Sequence, residues 1–208
     1  MITVDRFTCL RRIAACALLV AAAGNLSGCI EAALIGTATG VLVASDRRQP
    51  EVVAGDERVE WTASSRLNER YPDRNRIHVS VNSYNYTVLL TGEVPTEDIK
   101  GDIEKMMGRI PSVKNVVNEL QVGPATSLSA RGNDSFITGK VKASFVNANR
   151  FSANHVKVVT DGAVVYLLGL VSTREAEDAT NLARGVSGVR KVVRVFEYIG
   201  TPAAAAVK

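Results

Sequence analysis

Val165-Tyr166-Leu167-Leu168-Gly169-Leu170-Val171 is an apolar run broken by one glycine, and Val88-Leu89-Leu90-Thr91-Gly92-Glu93-Val94 has the same shape 77 residues earlier. The likeness spreads outward from these two runs. Val79-Ser80-Val81 matches Val156-Lys157-Val158 at the same offset of 77. Val113, Val116 and Val117 match Val189, Val192 and Val193 at an offset of 76. Asp56, Val59, Ala63 and Leu67 match Asp134, Ile137, Val141 and Phe145 at 78. Apolar positions thus align through four blocks with small insertions. A repeat of about 70 residues is too long for a solenoid unit and reads as two copies of one small domain.

Each copy has the same coarse order. A helix is expected near 56–70 and again near 134–149, with Asn133 or Asp134 able to cap the second. Strands follow near 77–83 and 86–92, then near 155–160 and 163–169. Their turns are Ser83-Tyr84-Asn85 and Asp161-Gly162, the latter a strong hairpin signal. Gly92 and Gly169 end the strands. Pro95 suits the first turn of a second helix reaching about Arg109. Its counterpart runs from Ser172 to about Val186, where Ser172 and Glu175 form a capping-box pattern. A last strand is expected near 113–122 and 189–199. The fold class is therefore α+β, two tandem domains, each helix-strand-strand-helix-strand with helices packed on a small three-stranded mixed sheet. The boundaries read as 55–123 and 132–200, with a linker at 124–131 and a loose tail at 201–208.

The amino end reads as an address. Arg6, Arg11 and Arg12 precede an apolar run from Ile13 to Ala23, and Leu26-Ser27-Gly28-Cys29 follows at once. A basic start, a short apolar core and small residues make a secretory signal over 1–28. Leu-Ser-Gly-Cys resembles a bacterial lipobox, which implies a lipid on Cys29; the competing reading is a plain signal with an accidental cysteine. Cleavage would remove Cys9 and Cys16 and leave no thiol to pair, a safe state in an oxidising compartment. Ile30 after the Cys, by resemblance to enterobacterial sorting, favours the outer membrane, inner leaflet, facing the periplasm. Residues 29–54 then form a spacer. Ala32 to Ala44, with Gly36 and Gly40 four apart, is either an interfacial segment or a packing helix. Asp46-Arg47-Arg48-Gln49-Pro50 breaks it as a polar linker.

The pattern Val-x-Leu-x-Gly-x-Val, its following helix and the close Val113-Lys114-Asn115-Val116-Val117-Asn118 resemble the BON domain. The second copy supplies Val165 to Val171 and then Val186-Ser187-Gly188-Val189-Arg190-Lys191-Val192. Val-Ser-Gly-Val is the familiar form, and Ile110-Pro111-Ser112-Val113 departs from it. Together with the lipobox, the chain resembles dual BON-domain envelope lipoproteins. That resemblance implies a non-enzymatic module that binds anionic phospholipid such as phosphatidylglycerol or cardiolipin, supports envelope integrity and is linked to division sites.

Charge places the expected lipid contact. Residues 56–122 hold nine Lys/Arg and eleven Asp/Glu, a net of −2, whereas 132–200 hold nine and six, a net of +3. At 100° per residue, Ile137, Val141, Ser144, Phe145 and Ala148 share one stripe of the copy-two helix, which should face the sheet. Phe136 and Val146 then fall on the opposite side with Gly139, Lys142, Ala143 and Arg150, and Lys140 lies at its flank. An apolar pair ringed by cations suits the boundary of an anionic bilayer. The competing reading has Phe136 stapling the helix start or packing on copy one. In copy one, Trp61 lies beside Glu57, Ser64 and Asn68 with no cationic ring, and is expected to pack between the domains or on the spacer.

Other chemistry is thin. Hydrophobic residues are 46%, charged residues 22% and aromatics 5%, a globular balance with aliphatic cores. No apolar stretch is long enough for a polytopic membrane protein. Three cysteines and two histidines support neither a disulfide scaffold nor a multi-ligand zinc site. His78 and His155 are repeat-equivalent and read as solvent-facing strand residues. Glu97, Asp98 and Asp102 complement a helix dipole. No phosphate loop or nucleophile–base motif is present, so neither a cofactor nor an enzyme is expected. Lys and Arg are not interleaved with aromatics as on nucleic-acid platforms. The alternative to lipid binding is a periplasmic adaptor to outer-membrane assembly machinery.

Overall fold

The computed structural model describes residues 46–73 and 77–200. The expected signal, the lipidation site Cys29, the Ala/Gly-rich spacer and the tail after Gly200 lie outside the described residues. Copy one consists of α1 (Pro50–Arg70), β1 (His78–Tyr84), β2 (Thr87–Val94), α2 (Glu97–Gly108), β3 (Asn115–Asn118) and β4 (Gln121–Val122). Copy two consists of α3 (Leu128–Ala148), a short turn of 3-10 helix at Ala153–His155, β5 (Val156–Asp161), β6 (Val164–Val171), α4 (Thr173–Arg184) and β7 (Lys191–Tyr198).

In each sheet the glycine-broken apolar run is the central strand, and it does not end at Gly92 or Gly169 as expected but continues to Val94 and Val171. β2 pairs antiparallel with β1 and parallel with β3 and β4. β6 pairs antiparallel with β5 and parallel with β7. The parallel step needs a crossover, and α2 and α4 supply it. Glycine is required in the central strand by a close approach. A Cβ at Gly92 would collide with the His78 carbonyl, and one at Gly169 with the His155 carbonyl.

One face of each central strand meets its own helices. Val88, Leu90 and Val94 pack under Val59, Ala63 and Leu67 of α1 and under Ile103 and Met107 of α2. Val165, Leu167 and Val171 pack under Ile137, Val141 and Phe145 of α3 and under Ala176, Ala179 and Ala183 of α4. The intervening residues form a third core. Tyr84, Leu89, Tyr166 and Leu168 cluster with Val117, Val159, Leu170, Val193 and Val195. The helix-free faces of the two sheets therefore pack on each other. This explains why β2 and β6 read as continuous apolar runs rather than alternating ones. Polar contacts close the rim: Lys157 Nζ lies 2.6 Å from Glu60 Oε1, and Asn85 Nδ2 donates to Glu197 Oε2 at 2.6 Å. All three cores lie within the compact unit Ser45–Lys208, so this segment carries what it needs to fold by itself.

Both hairpins turn one residue later than the sequence indicates. Strand pairing continues to Tyr84↔Thr87 and Asp161↔Val164, leaving Asn85-Tyr86 and Gly162-Ala163 as two-residue turns. All four have positive φ, between 51° and 65°, as the hairpin twist demands. Tyr86 and Ala163 tolerate that conformation poorly, and a buried carboxylate holds each turn. Asp56 accepts from Asn85 N and Tyr86 N, both at 2.8 Å, and Asp134 accepts from Gly162 N at 2.9 Å and Ala163 N at 2.8 Å. Asp134 is thus not a helix cap. The cap of α3 is Ser127, whose hydroxyl accepts from Ala130 N, and the helix begins at Leu128, inside the stretch read as linker. Pro95 precedes rather than opens α2, which is capped by Thr96. The capping box of Ser172 and Glu175 is present on α4. The last strand of copy one is interrupted because Leu120 turns fully into the core.

The polar linker expected at Asp46 to Pro50 is a clasp instead, and Pro50 already opens α1. Arg48 donates to Asp46 and to Asp56 Oδ2 at 2.8 Å, and its guanidinium lies 4.0 Å from the Tyr84 ring centroid. Arg47 reaches copy two, donating to the Leu170 carbonyl at 2.9 Å and, as a fork, to both Glu175 oxygens at 2.8 Å. Adjacent arginines therefore hold one copy each. The fork holds Glu175 well below the usual carboxylate range, at about 2, against a smaller opposing effect of burial, and Ser172 hydrogen bonds act with the fork.

Candidate functional site

α3 is apolar on two sides. Its inner stripe, Ile137, Val141 and Phe145, is at most 1% exposed. Its outer side carries Phe136 at 65% exposure and Val146 at 64%. Gly139, Lys142 and Ala143 are exposed between them. Gly139 and Ala143 leave a low floor between the two larger apolar groups, and nothing lies within 4 Å of where a Gly139 Cβ would point. The outer side predicted from helical spacing is present, and Phe136 packs neither at the helix start nor on copy one.

The three predicted cations behave differently. Lys140 is half-buried; its ammonium donates to the carbonyl and the hydroxyl of Ser187 and lies 4.9 Å from the Phe136 ring centroid. Arg150 donates to Asp178 Oδ1 on α4 at 3.0 Å. Lys142 has no hydrogen-bond or ion-pair partner among the described residues, so of the three it is the cation with no intramolecular contact to give up. Helical spacing locates all three, but the partners of Lys140 and Arg150 lie 47 and 28 residues away and leave no local signal.

Trp61 on α1 is 75% exposed. It does not pack between the copies; packing on the spacer lies outside the described residues. The expectation of solvent-facing histidines also fails. His78 Nδ1 lies 3.3 Å from Glu93 Oε2, and His155 Nδ1 lies 3.5 Å from Glu175 Oε1, with each imidazole mostly covered. Both sit where their carbonyls cross the central glycine, which draws the side chains in against the sheet edge. Among the described residues no group of three or more His, Cys, Asp or Glu could hold a metal ion. None of the described helices is long and apolar enough to cross a membrane. Two shallow depressions, of about 240 and 460 Å³, both lie on copy one, away from the outer side of α3. What α3 offers is a convex apolar surface with a cation beside it, suited to a broad interface rather than to an enclosed ligand.

Two tandem helix-strand-strand-helix-strand modules with glycine-broken central strands define the class. The chain belongs to the BON domain family, which matches it over residues 56–124 and 133–200. Along most of its length it is similar to the Outer membrane lipoprotein DolP of Haemophilus influenzae, with 34% identity over 183 residues, 88% of this chain and 95% of that one. The 21 kDa hemolysin of Actinobacillus pleuropneumoniae is 29% identical over 154 residues, 74% of this chain and 79% of that one. The Osmotically-inducible protein Y of Escherichia coli is 41% identical over 71 residues, 32% of this chain and 35% of that one.

Proposed function

We propose that the chain is a lipid-anchored outer-membrane protein that binds anionic phospholipid through the outer side of α3 and so supports envelope integrity, including at division sites. One observation carries the lipid contact: Phe136 and Val146 stand exposed around a Gly139–Ala143 floor, with the unpartnered Lys142 beside them, on a helix whose other side is already buried. Such a surface gains from inserting apolar groups at headgroup depth and from about 1 kcal/mol per Lys or Arg near anionic lipid. Acyl chains on Cys29 would keep the protein at the periplasmic surface of the outer membrane, as the name of its Haemophilus relative fits. A weak headgroup affinity then becomes an intramolecular contact and chooses where the protein concentrates.

Sedimentation of residues 45–208 with vesicles tests this reading. Binding to phosphatidylglycerol but not phosphatidylcholine, reduced by Phe136→Ala and by Lys142→Glu in folded protein, is the expected result. Absence of wild-type binding at low salt would remove it. The adaptor reading draws on Trp61, exposed on copy one beside Glu57. Its mark is loss of a protein partner on Trp61→Ala with vesicle binding intact.

A further inference from the structure

The turn between α4 and β7 meets the lipid-facing side of α3 through one side chain. Lys140 donates two of its three ammonium protons to Ser187, one to the carbonyl and one to the hydroxyl, the latter at 3.0 Å. The hydroxyl accepts that proton, so its own remains to be given. Counting donors leaves two: the third ammonium N–H and the Ser187 O–H. They belong to heavy atoms 3.0 Å apart, close enough for both to donate to the non-bridging oxygens of one phosphodiester. Gly188 follows with φ of +96°, and its Cα side closes on Ile137 and Lys140, which brings the turn against the helix. Stacking of the ammonium on Phe136 ties this donor pair to the apolar group expected to enter the bilayer.

We propose that Lys140 and Ser187 form a phosphate-binding notch at the edge of the α3 surface, which takes one phosphodiester of a phospholipid headgroup while Phe136 inserts beside it. The proposal rests on the lipid-binding reading of α3 and adds its recognition element. Copy one provides the contrast. The equivalents of Lys140, Ser187 and Gly188 are Thr62, Pro111 and Ser112. Ser112 has to hold a φ of 75° there, and neither an ammonium nor the Ser187 hydroxyl is available. The same turn exists in both copies, but only copy two carries the donors. Lys142 differs in kind from Lys140. It is unpartnered and acts as a diffuse charge, whereas Lys140 is already oriented and loses little freedom on binding.

Ser187→Ala separates the notch from general attraction, because it leaves the charge unchanged. On phosphatidylglycerol vesicles, residues 45–208 with Ser187→Ala should bind about five- to tenfold more weakly than wild type, the loss of one charge-assisted hydrogen bond. Ser187→Thr should restore most of the binding, and thermal unfolding should confirm that both variants fold. Wild-type binding that Ser187→Ala leaves unchanged would overturn the notch and leave the α3 surface standing. A second arm titrates inorganic phosphate and glycerol phosphate while following the Ser187 and Gly188 amides by NMR. Shifts there without vesicle binding would keep the notch as a site for soluble phosphate and remove the lipid reading. Neither shifts nor vesicle binding would overturn both.

Discussion

The outer sides of α1 and α3 are built on the same frame and present opposite surfaces. Arg58, Trp61, Ser64, Ser65 and Asn68 in copy one stand where Phe136, Gly139, Lys142, Ala143 and Val146 stand in copy two. All ten are exposed. Inward, the two helices are nearly interchangeable: Val59, Ala63 and Leu67 bury as Ile137, Val141 and Phe145 do. A duplicated domain has kept its core, since burial punishes change there, and has varied the side that folding does not constrain. One surface is a single aromatic and an arginine, Arg58, among small polar groups, with Glu57 alongside; the other pairs two apolar side chains, Phe136 and Val146, with Lys142. The net charges of −2 for 56–122 and +3 for 132–200 run the same way.

The largest expected effects separate the two buried carboxylates. Asp56 accepts from two turn amides and from Ser83 Oγ at 2.6 Å, and it also faces Arg48. Asp134 meets the turn amides alone among these kinds of partner. Removing either leaves buried donors unpaired. Urea unfolding should show Asp56→Ala losing about 3–4 kcal/mol and Asp134→Ala about 2 kcal/mol. Equal losses would mean that the Ser83 and Arg48 contacts add nothing to the turn clamp.

Next comes lipid binding. Phe136→Ala should lower partition onto phosphatidylglycerol vesicles about tenfold, from the loss of about 1.4 kcal/mol of apolar insertion, with little change in stability. Trp61→Ala should leave vesicle binding within about twofold, since about 0.4 kcal/mol is the scale of an uninvolved surface change. Lys142→Glu reverses a charge and should cost about 1–2 kcal/mol of binding at low salt, shrinking as salt rises. Ser64→Glu, at the equivalent place in copy one, should change it little. Vesicle titrations of all four variants against salt check these orders.

The smallest effect concerns the clasp. Glu175 is held at about 2 by the Arg47 fork, below its ordinary 4.5. A carboxylate depressed in the folded state stabilises above its unfolded pKa, and that contribution is lost as pH falls from about 4.5 to about 2. The pair is partly exposed, so screening limits Arg47→Ala to about 0.5–1 kcal/mol at neutral pH. The difference between wild type and variant should fade through that acid window in pH-dependent unfolding. Asp161 acts in the opposite sense. Burial first, and Glu93 second, raise it, so its ionisation costs stability at neutral pH and its protonation in acid relieves that cost.

Much of this was legible in the sequence because it is periodic. Ile137, Val141 and Phe145 recur at helical spacing, and Phe136 and Val146 fall opposite by the same arithmetic. The doubled Val-x-Leu-x-Gly-x-Val located the central strands, but not their ends: the glycines expected to close them answer a backbone approach from the neighbouring strand, which no local pattern shows. What could not be read was set by contacts between distant positions. Arg47 and Glu175 are 128 residues apart, and Lys140 and Ser187 are 47 apart. Asp46-Arg47-Arg48 therefore read as a linker, and Lys140 and Arg150 read as free cations. Asp134 looked like a cap because a carboxylate near a helix start serves equally well in either role; the hairpin that claims it lies 28 residues on. Histidines beside strand valines gave no sign of the carboxylates that meet them.

Site-specific depth measurement tests the central claim most directly. Residues 45–208 contain no cysteine, so a nitroxide can be placed at Ala143→Cys or at its repeat equivalent, Ser65→Cys. With phosphatidylglycerol vesicles, the label at 143 should become accessible to lipid-dissolved oxygen and shielded from an aqueous relaxant, while the label at 65 stays in water. Insertion at 65, or water exposure at both positions in vesicle-bound protein, would contradict the assignment of the lipid surface to copy two.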